Sequence, residues 1–444
     1  MLKKYDSEPT VEVGIMKENI IEFSLIGDFR QGNSEWTLNG DFSVSLSNGK
    51  ILFNSTAYDT LTFTPLSDSN TFVLKDVTIG INFHWQRKEN QQFKGAIRFI
   101  ILDDKIQAIN IIHVEDYLTS VISSEMKATS DLELLKAHAI ISRSWLLNKL
   151  ANKKKELPIT TFSDITEDGT QRLIRWYDQQ DHDHFDVCAD DHCQRYQGCT
   201  KANTDEVKQA IKSTYGQILS FDDKICDARF YKSCGGATEY FENCWDTSNS
   251  HPYLVPIADG ENIDISNLDN ESVAEMWILS NPKAYCNTRD KLVLSQILNN
   301  YDQETPDFFR WSVSYTQEEI SNIVKEKSQI DFGLITNLIP IKRGASGRII
   351  ELKIVGEKKT MIVGKELEIR KWLSTSHLYS SAFIVEKKLS NGQCSYTLKG
   401  AGWGHGVGLC QIGAAMMAHL GFNYRTILAH YYPNSAIESL YEQD

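Results

Sequence analysis

The sequence lacks any apolar run of about 18 residues or more, the length expected of a transmembrane helix. No membrane span is therefore expected. Positive charge is also scarce, because 46 Lys and Arg face 59 Asp and Glu and leave a net charge of −13. This balance argues against a nucleic-acid partner, which normally requires a basic face, and against electrostatic attachment to an anionic membrane.

The first residues, MLKKYDSEPT, lack the apolar stretch that follows the basic residues of a secretory signal. We therefore expect either a cytosolic protein or one whose leader was removed or lies outside this chain. Internal repeats and low-complexity runs are also missing. The 444 residues suggest about two to three domains.

The chain has nine cysteines, an odd number. Complete disulfide pairing within one chain is therefore impossible. Six of them fall within one stretch: Cys188, Cys193, Cys199, Cys226, Cys234 and Cys244. This clustering is more typical of a local metal or thiol site than of a scattered disulfide scaffold.

Short β-rich segments separated by turn residues fill residues 1–110. Asn48-Gly49 between two such segments predicts a hairpin, since both residue types tolerate positive φ. Asp103-Asp104 predicts another hairpin. Much later, Thr316 with Glu319 forms a capping box that predicts the start of a helix.

The stretch Val114–Leu150 predicts two consecutive amphipathic helices with a short polar break. Ser130 and Glu133 form a capping box for the second helix. The apolar stripe of the first helix continues onto Glu125. A carboxylate there must be paired, hydrogen-bonded or protonated, so a structural and a catalytic role both remain open.

The densest group of metal-binding residue types is HDHFDVCADDHC at 182–193. It offers His182, His184, Cys188, His192 and Cys193, with the two histidines at 182 and 184 competing for one place. Two thiolates and two imidazoles are the ligand set of a closed tetrahedral zinc site. We therefore expect structural zinc, whereas a catalytic metal would require water as one ligand.

Two glycine-containing segments are candidate binding loops. Tyr231 could donate a hydrogen bond to a sugar or to Glu125, and the adjacent Gly235-Gly236 allows close backbone approach or a tight turn. Gly402–Gly408 has glycine at every second position around His405, without the spacing of a dinucleotide-binding fingerprint. A structural turn and a binding loop remain open for both segments.

Three motifs occur in order: VEDYLTSVISSEM followed by LELLKAHAIISRSWLL, then YKSCGGATE, then GWGHGVGLCQIGAAMMAHLGFNYRTILAHYYPN. Together they closely resemble the SpoIID/LytB family, the sporulation stage II protein D and amidase-enhancer proteins. The resemblance covers about residues 110–434. It implies a lytic transglycosylase that cuts peptidoglycan glycan strands, preferably strands without stem peptides, and leaves 1,6-anhydro ends.

The resemblance also implies residue roles. The family's catalytic acid lies in an A-E-M-P-like motif that maps onto Glu125, although Lys127 replaces the proline. A cleft tyrosine corresponds to Tyr231, which the resemblance implies as a second catalytic residue. Substrate contacts are expected from the two glycine-containing segments: Ser233, Gly235, Gly236, His405 and Gln411. Some members carry zinc on two His and two Cys in the order His-x5-Cys…His-Cys. This order favours His182, Cys188, His192 and Cys193 as the ligands here.

The expected fold class is α+β, with mixed helices and short strands around a substrate cleft. The expected domains are a β-rich module at 1–110, a catalytic domain at 111–434 with a polar metal-binding loop at 151–200, and a tail at 435–444. The expected partners are glycan strands and, for an amidase enhancer, a cell-wall amidase. Two alternatives remain: a non-catalytic glycan-binding protein that enhances an amidase, and a zinc-dependent hydrolase.

Overall fold

The computed structural model describes residue 2 and residues 4–80, 86–152, 160–176, 182–190, 192–200, 204–245, 251–297, 307–390 and 392–442. Its helices, in chain order, are α1 Val114–Glu125, α2 Leu132–Ala151, α3 Asp205–Ser213, α4 Glu271–Leu279, α5 Lys291–Ile297, α6 Gln317–Ser328, α7 Glu366–Trp372, α8 Gln411–His419 and α9 Tyr424–Tyr431. Among the described residues, no helix combines the length and the apolar character needed to cross a membrane.

The strands, also in chain order, are β1 Thr10–Glu18, β2 Ile20–Gln31, β3 Thr37–Ser47, β4 Lys50–Phe53, β5 Thr56–Tyr58, β6 Leu61–Pro65, β7 Thr71–Ile79, β8 Arg87–Lys94, β9 Ala96–Leu102, β10 Lys105–His113, β11 Thr160–Ile165, β12 Gln171–Trp176, β13 Val187–Cys188, β14 Gln217–Phe221, β15 Lys224–Ile225, β16 Phe230–Tyr231, β17 Arg310–Thr316, β18 Ile335–Arg343, β19 Ile349–Gly356, β20 Thr360–Gly364, β21 Phe383–Ser390, β22 Gln393–Ala401, β23 Leu409–Cys410 and β24 Ala436–Ser439. The mixture of helices and strands is consistent with the expected α+β class.

The chain divides into two compact units. The first comprises Met1–Lys155, Asp181–Ile225 and Ile437–Asp444, and the second comprises Glu156–Gln180 and Cys226–Ala436. Residues 1–110 thus share a unit with α1 and α2, a division that differs from the predicted domains, which stay a prediction.

A large sheet confirms the predicted β-rich N-terminus. Its strand order is β13-β1-β10-β9-β6-β2-β3-β4-β5, and β7 pairs with both β2 and β8. Alternate residues of β2 point inward, so the Phe23 ring packs against Phe63 and Phe99, with centroids 5.4 and 5.2 Å away. The aromatic core therefore follows the two-residue period of a half-buried strand.

Both predicted hairpins are present. Asn48 and Gly49, with φ of 50° and 71°, separate β3 from β4. Asp103 and Asp104, with φ of 50° and 54°, separate β9 from β10. Residues that tolerate the left-handed region thus set the register of both strand pairs.

The two predicted helices are confirmed, but the cap of the second is Asp131 and not Ser130. The Asp131 side chain accepts the backbone N–H of Glu133 at 2.8 Å. Ser130 instead donates its hydroxyl to the carbonyl of Lys127 at 2.6 Å, which closes the turn between the helices. A carboxylate at this position also interacts favourably with the α2 dipole, which explains the preference.

A buried ion pair joins α1 to α2. Arg143 donates from Nε and Nη2 to the two carboxylate oxygens of Glu115 at 2.8 and 2.5 Å, and its side chain is fully buried. Glu115 also accepts from the hydroxyl of Tyr441 at 2.6 Å and from the N–H of Gly216 at 3.2 Å. One carboxylate therefore fixes both helices, the start of β14 and the C-terminal residues.

In the second unit, β11-β12-β20-β19-β18 form one sheet and β17-β22-β21 form another. The apolar core includes Trp372, Ile320 and Leu352, from α7, α6 and β19.

The predicted capping box is present, since Thr316 and Glu319 bond reciprocally at the start of α6. The two-residue strands β16 and β23 pair in parallel and bring Tyr231 beside Cys410.

The segment 151–200, predicted as a polar loop, contains the hairpin β11–β12, and β12 pairs with β20. Asp168-Gly169 forms its turn, with φ of 81° at the glycine. Aspartate followed by glycine is a strong hairpin signal. The prediction missed it because few apolar residues flank the turn.

We expect Arg143→Met to destabilise the first unit by about 3–5 kcal/mol, because it leaves the Glu115 carboxylate buried without its cation. The matched control is Lys17→Met, which breaks the exposed pair with Asp103 and should cost about 1 kcal/mol or less. Urea denaturation measures both free energies of unfolding. Equal costs would show that the buried pair has no special role.

Candidate functional site

The predicted site residues fall into two groups, one in each unit. The first unit holds Glu125 together with the predicted metal ligands His182, Cys188, His192 and Cys193. The second unit holds Tyr231, Ser233, Gly235, Gly236, His405 and Gln411.

Glu125 is the last residue of α1, and its side chain is half-buried between buried neighbours, Ser124 and Met126. Its Oε1 accepts the backbone N–H of Arg195 at 2.9 Å. The carboxylate is therefore oriented by a main-chain group two residues after Cys193.

The residues after Cys193 run along α1. The N–H of Gln197 donates to the Ser120 hydroxyl at 3.1 Å. The Tyr196 ring stacks on Tyr117 with centroids 5.0 Å apart, and its hydroxyl donates to Asn110 at 2.6 Å. This segment links the proposed metal ligands to the helix that carries Glu125.

The donor atoms of His182, Cys188, His192 and Cys193 all lie within 4.8 Å of one another. Cys193 Sγ lies 3.5 Å from both His182 Nε2 and His192 Nδ1, and Cys188 Sγ lies 3.9 Å from His192 Nδ1. A tetrahedral zinc ion separates sulfur from nitrogen by about 3.6 Å at ordinary bond lengths. Both the donor types and the spacings therefore fit zinc.

The cluster includes His182 and not His184, which is exposed. The His182 ring stacks on Phe185 with centroids 4.5 Å apart. A Cβ on Gly14 of β1 would lie 2.6 Å from the Phe185 ring, so this glycine makes room for it. Because β13 pairs with β1, the N-terminal sheet supports the segment that carries the predicted metal ligands.

In the second unit, Tyr231 and Ser233 are buried, with 5% and 0% exposure. Neither hydroxyl has a hydrogen-bond partner among the described residues. Burial raises the pKa of Tyr231 well above its usual value, so the phenol stays a neutral donor at physiological pH. Two buried, unpartnered hydroxyls on one segment are unusual in a folded protein.

The glycines of this unit permit close backbone packing. Gly235 has φ of 73°, and a Cβ on it would lie 2.7 Å from the backbone nitrogen of Gly402. The backbone of Ser233 bonds in both directions with Trp403, at 3.0 and 2.7 Å. The two glycine-containing segments thus pack directly against each other, as a turn requires.

His405 uses both ring nitrogens to hold the backbone. Its Nε2–H donates to the carbonyl of Phe230 at 3.1 Å, and its Nδ1 accepts the N–H of Val407 at 3.1 Å. These partners specify the neutral tautomer with the proton on Nε2. Burial lowers the pKa of His405 well below its usual value, and the nearby arginines, Arg229 above all, add to this effect.

Gln411 is the buried first residue of α8, and its role in substrate contact stays a prediction.

The sequence interpretation did not single out Glu239, which is fully buried in the motif after Gly236. Its carboxylate accepts from the N–H groups of Ala345 and Ser346, each at 3.1 Å, and from the Ser346 hydroxyl at 2.6 Å. The available signal in the sequence was a charged residue three positions after Gly236, within the motif YKSCGGATE.

Comparison with known families finds two matched regions along the chain. A sequence model described as Stage II sporulation protein matches residues 102–221, which include α1, α2 and the predicted metal ligands. The Stage II sporulation protein D of Bacillus amyloliquefaciens is 25% identical over 73% of this chain and 74% of its own length. Residues 102–221 therefore belong to the SpoIID/LytB family.

Two further relatives extend the comparison. An uncharacterized protein of Brachyspira hyodysenteriae is 27% identical over 77% of this chain and 71% of its own length. The amidase enhancer of Bacillus subtilis is 25% identical over 72% of this chain, and the match spans 40% of that protein. Residues 239–408 match a separate domain of unknown function. The SpoIID match therefore includes Glu125 but ends before Tyr231.

If His182, Cys188, His192 and Cys193 hold zinc, we expect Cys193→Ser to lower the zinc content by one ion per chain. The first unit should lose about 4 kcal/mol of stability, the effect of a ligand present at 1,000 times its dissociation constant. The matched control is Cys199→Ser, since Cys199 lies six residues away and bonds the carbonyl of Gln92. Elemental analysis and thermal unfolding measure the two effects. An unchanged zinc content would contradict the assignment.

We expect the stability of the second unit to fall as the pH drops below about 6.5, the pKa of histidine in the unfolded chain. The unfolded state binds a proton there that His405 in the folded state does not bind, at about 1.4 kcal/mol per pH unit. His405→Gln should make this decline shallower. Urea denaturation from pH 8 to 5 measures it, with pH 8 as the reference. Parallel pH profiles for both proteins would contradict the prediction.

Proposed function

We propose that the chain is a peptidoglycan lytic transglycosylase in which Glu125 is the general acid and base. The observation that carries this proposal is the placement of Glu125, half-buried at the end of α1, with one carboxylate oxygen held by the Arg195 N–H. The SpoIID match at residues 102–221 includes Glu125, and the resemblance to this cell-wall family implies that its acid motif maps onto the same residue.

An acid must hold its proton before it delivers it to the substrate. Glu125 stands at the C-terminal end of α1, where the helix dipole disfavours negative charge. Partial burial acts in the same direction, whereas the Arg195 N–H favours the ionised form.

The reaction requires one carboxyl group. Glu125 gives its proton to the oxygen that links C1 of a muramyl residue to the next sugar, and the C1–O bond breaks. The ionised carboxylate then takes the proton of the muramyl 6-hydroxyl, whose oxygen bonds to C1. The product is a 1,6-anhydro sugar and Glu125 is protonated again, so no attacking water or second carboxylate is needed, unlike in ordinary glycosidases.

His182, Cys188, His192 and Cys193 are proposed to hold a structural zinc ion. Four protein ligands complete a tetrahedral shell and leave no position for a reactive water, which argues against a zinc-dependent hydrolase. Bound zinc would close the loop that these residues form. Because Arg195 lies two residues after Cys193, a closed loop would keep the Arg195 N–H aimed at Glu125.

Tyr231, Ser233, Gly235, Gly236, His405 and Gln411 are proposed to form the substrate-contacting part of the second unit. The buried hydroxyls of Tyr231 and Ser233 support this, since each retains an unused donor among the described residues. The contact of His405 would come through the loop that it holds, because both its nitrogens already bond the backbone.

The test is digestion of peptidoglycan stripped of stem peptides, with mass spectrometry of the products. We expect 1,6-anhydromuramyl ends from the wild-type chain and a loss of about 100-fold or more in Glu125→Gln, which keeps the size of the side chain but removes the proton. The matched control is Glu133→Gln, at the start of α2, which should stay within a few-fold of wild type.

Anhydro products that persist unchanged in Glu125→Gln would refute the assignment. If the folded chain yields no new product but accelerates a cell-wall amidase, the second function applies: a glycan-binding enhancer. The similarity to the Bacillus subtilis amidase enhancer favours this alternative. The same digestions, repeated with an amidase present, separate the two functions.

A further inference from the structure

A second cluster of sulfur and oxygen donors lies within the second unit. Cys234, Asp259, Cys286 and Cys410 come from four separate segments of the chain, yet their donor atoms all lie within 4.8 Å of one another. The sulfur atoms of Cys234 and Cys286 are 3.3 Å apart. No role in glycan cleavage accounts for this convergence.

All four residues are removed from solvent. Their exposures are 2% for Cys234, 0% for Asp259, 1% for Cys286 and 0% for Cys410. Burying a carboxylate beside three thiols is costly unless a cation or several hydrogen bonds compensate. A bound cation would supply such compensation.

Backbone amides already point at the sulfur atoms. Cys410 Sγ accepts the N–H groups of Cys234 and Gly413 at 3.2 and 3.4 Å, and Cys234 Sγ accepts that of Gly236 at 3.3 Å. Hydrogen bonds of this kind favour a thiolate over a thiol. They resemble the outer contacts that orient thiolates around a bound metal.

The carboxylate of the cluster is equally well oriented. Asp259 accepts the N–H of Cys286 at 2.8 Å and the hydroxyl of Tyr431 at 2.6 Å. A Cβ on Gly413 would lie 2.1 Å from the Tyr431 hydroxyl oxygen and 2.5 Å from Asp259 Oδ1. Glycine at 413 thus leaves the space in which Asp259 meets the start of α8.

Two arginines offset the negative charge of the cluster. Arg310 donates to the carbonyl of Gly235 at 2.9 Å, and its guanidinium interacts electrostatically with Cys286 and Cys234. Arg348, which is fully buried, donates to the carbonyl of Cys234 at 3.5 Å. A divalent cation bound by three thiolates and a carboxylate leaves two negative charges, which these two arginines match.

We propose that Cys234, Asp259, Cys286 and Cys410 form a closed tetrahedral site for a thiophilic divalent metal ion, with zinc as the first choice. Three thiolates and one carboxylate oxygen are suitable zinc ligands. Zinc separates two sulfurs by about 3.8 Å, so the Cys234 and Cys286 sulfurs move apart by about 0.5 Å on binding.

A disulfide is the competing interpretation of the same sulfurs. It would require the Cys234 and Cys286 sulfurs to approach to about 2.05 Å. It would also use two of the four donors and leave Asp259 buried beside Cys410 without a cation. The metal accounts for all four donors, and the disulfide does not.

The metal would fix a specific part of the chain. Cys234 lies between Ser233 and Gly235, and Cys410 directly precedes Gln411. One ion would therefore tie the segment Tyr231–Gly236 to the start of α8. The site stands apart from glycan cleavage, since it would hold metal whether or not Glu125 is an acid.

The test uses the whole chain without an affinity tag, purified under reducing conditions with zinc supplied, and elemental analysis per chain. We expect Cys286→Ser to hold one zinc ion fewer than the wild type. The matched control is Cys394→Ser, in β22 of the same unit and outside the cluster, which should keep the wild-type count. An unchanged count in Cys286→Ser overturns the proposal.

A second measurement applies even if Cys286→Ser does not fold. In Cys193→Ser, X-ray absorption spectroscopy of the remaining zinc should show three sulfurs at about 2.3 Å and one oxygen at about 2.0–2.2 Å. Absence of zinc in this folded variant, or a shell with nitrogen, overturns the site. A Cys234–Cys286 disulfide in peptide maps of the zinc-supplied wild type also overturns it.

Discussion

The ion pair between Glu115 and Arg143 is the contact on which the first unit depends. A buried carboxylate is tolerable only when its lone pairs are used, and this one bonds to α2, to the N–H of Gly216 and to Tyr441. These bonds fix the beginning of α1. Because a helix is a stiff rod of about 1.5 Å per residue, they also fix its other end, where Glu125 lies.

Backbone groups orient several of the chemical groups in both units. The Arg195 N–H holds Glu125, and backbone atoms of Phe230 and Val407 hold both nitrogens of His405. The Cys410 thiol receives two amide hydrogens in the same way. Such contacts depend on loops being held in place, which gives a physical reason for sulfur-rich clusters beside these loops.

Local features of the fold followed from the sequence. The Asn48-Gly49 turn, the capping box of α6 and the two helices after His113 each depend on residues a few positions apart. Local reasoning was wrong where two neighbouring residues could both cap a helix. Ser130 was expected to cap α2, whereas Asp131 does so. Local reasoning also missed the hairpin β11–β12, whose pairing with β20 connects distant residues.

The sequence by itself determined the family motifs, the position of Glu125 at a helix end, and a group of candidate metal ligands within twelve residues. The tertiary structure alone decided which groups meet across the chain. Cys234 and Cys410 are 176 residues apart, and Glu115 meets Arg143 and Tyr441 from two other segments. No spacing rule encodes such contacts, because chain folding and burial, and not local periodicity, bring these groups together.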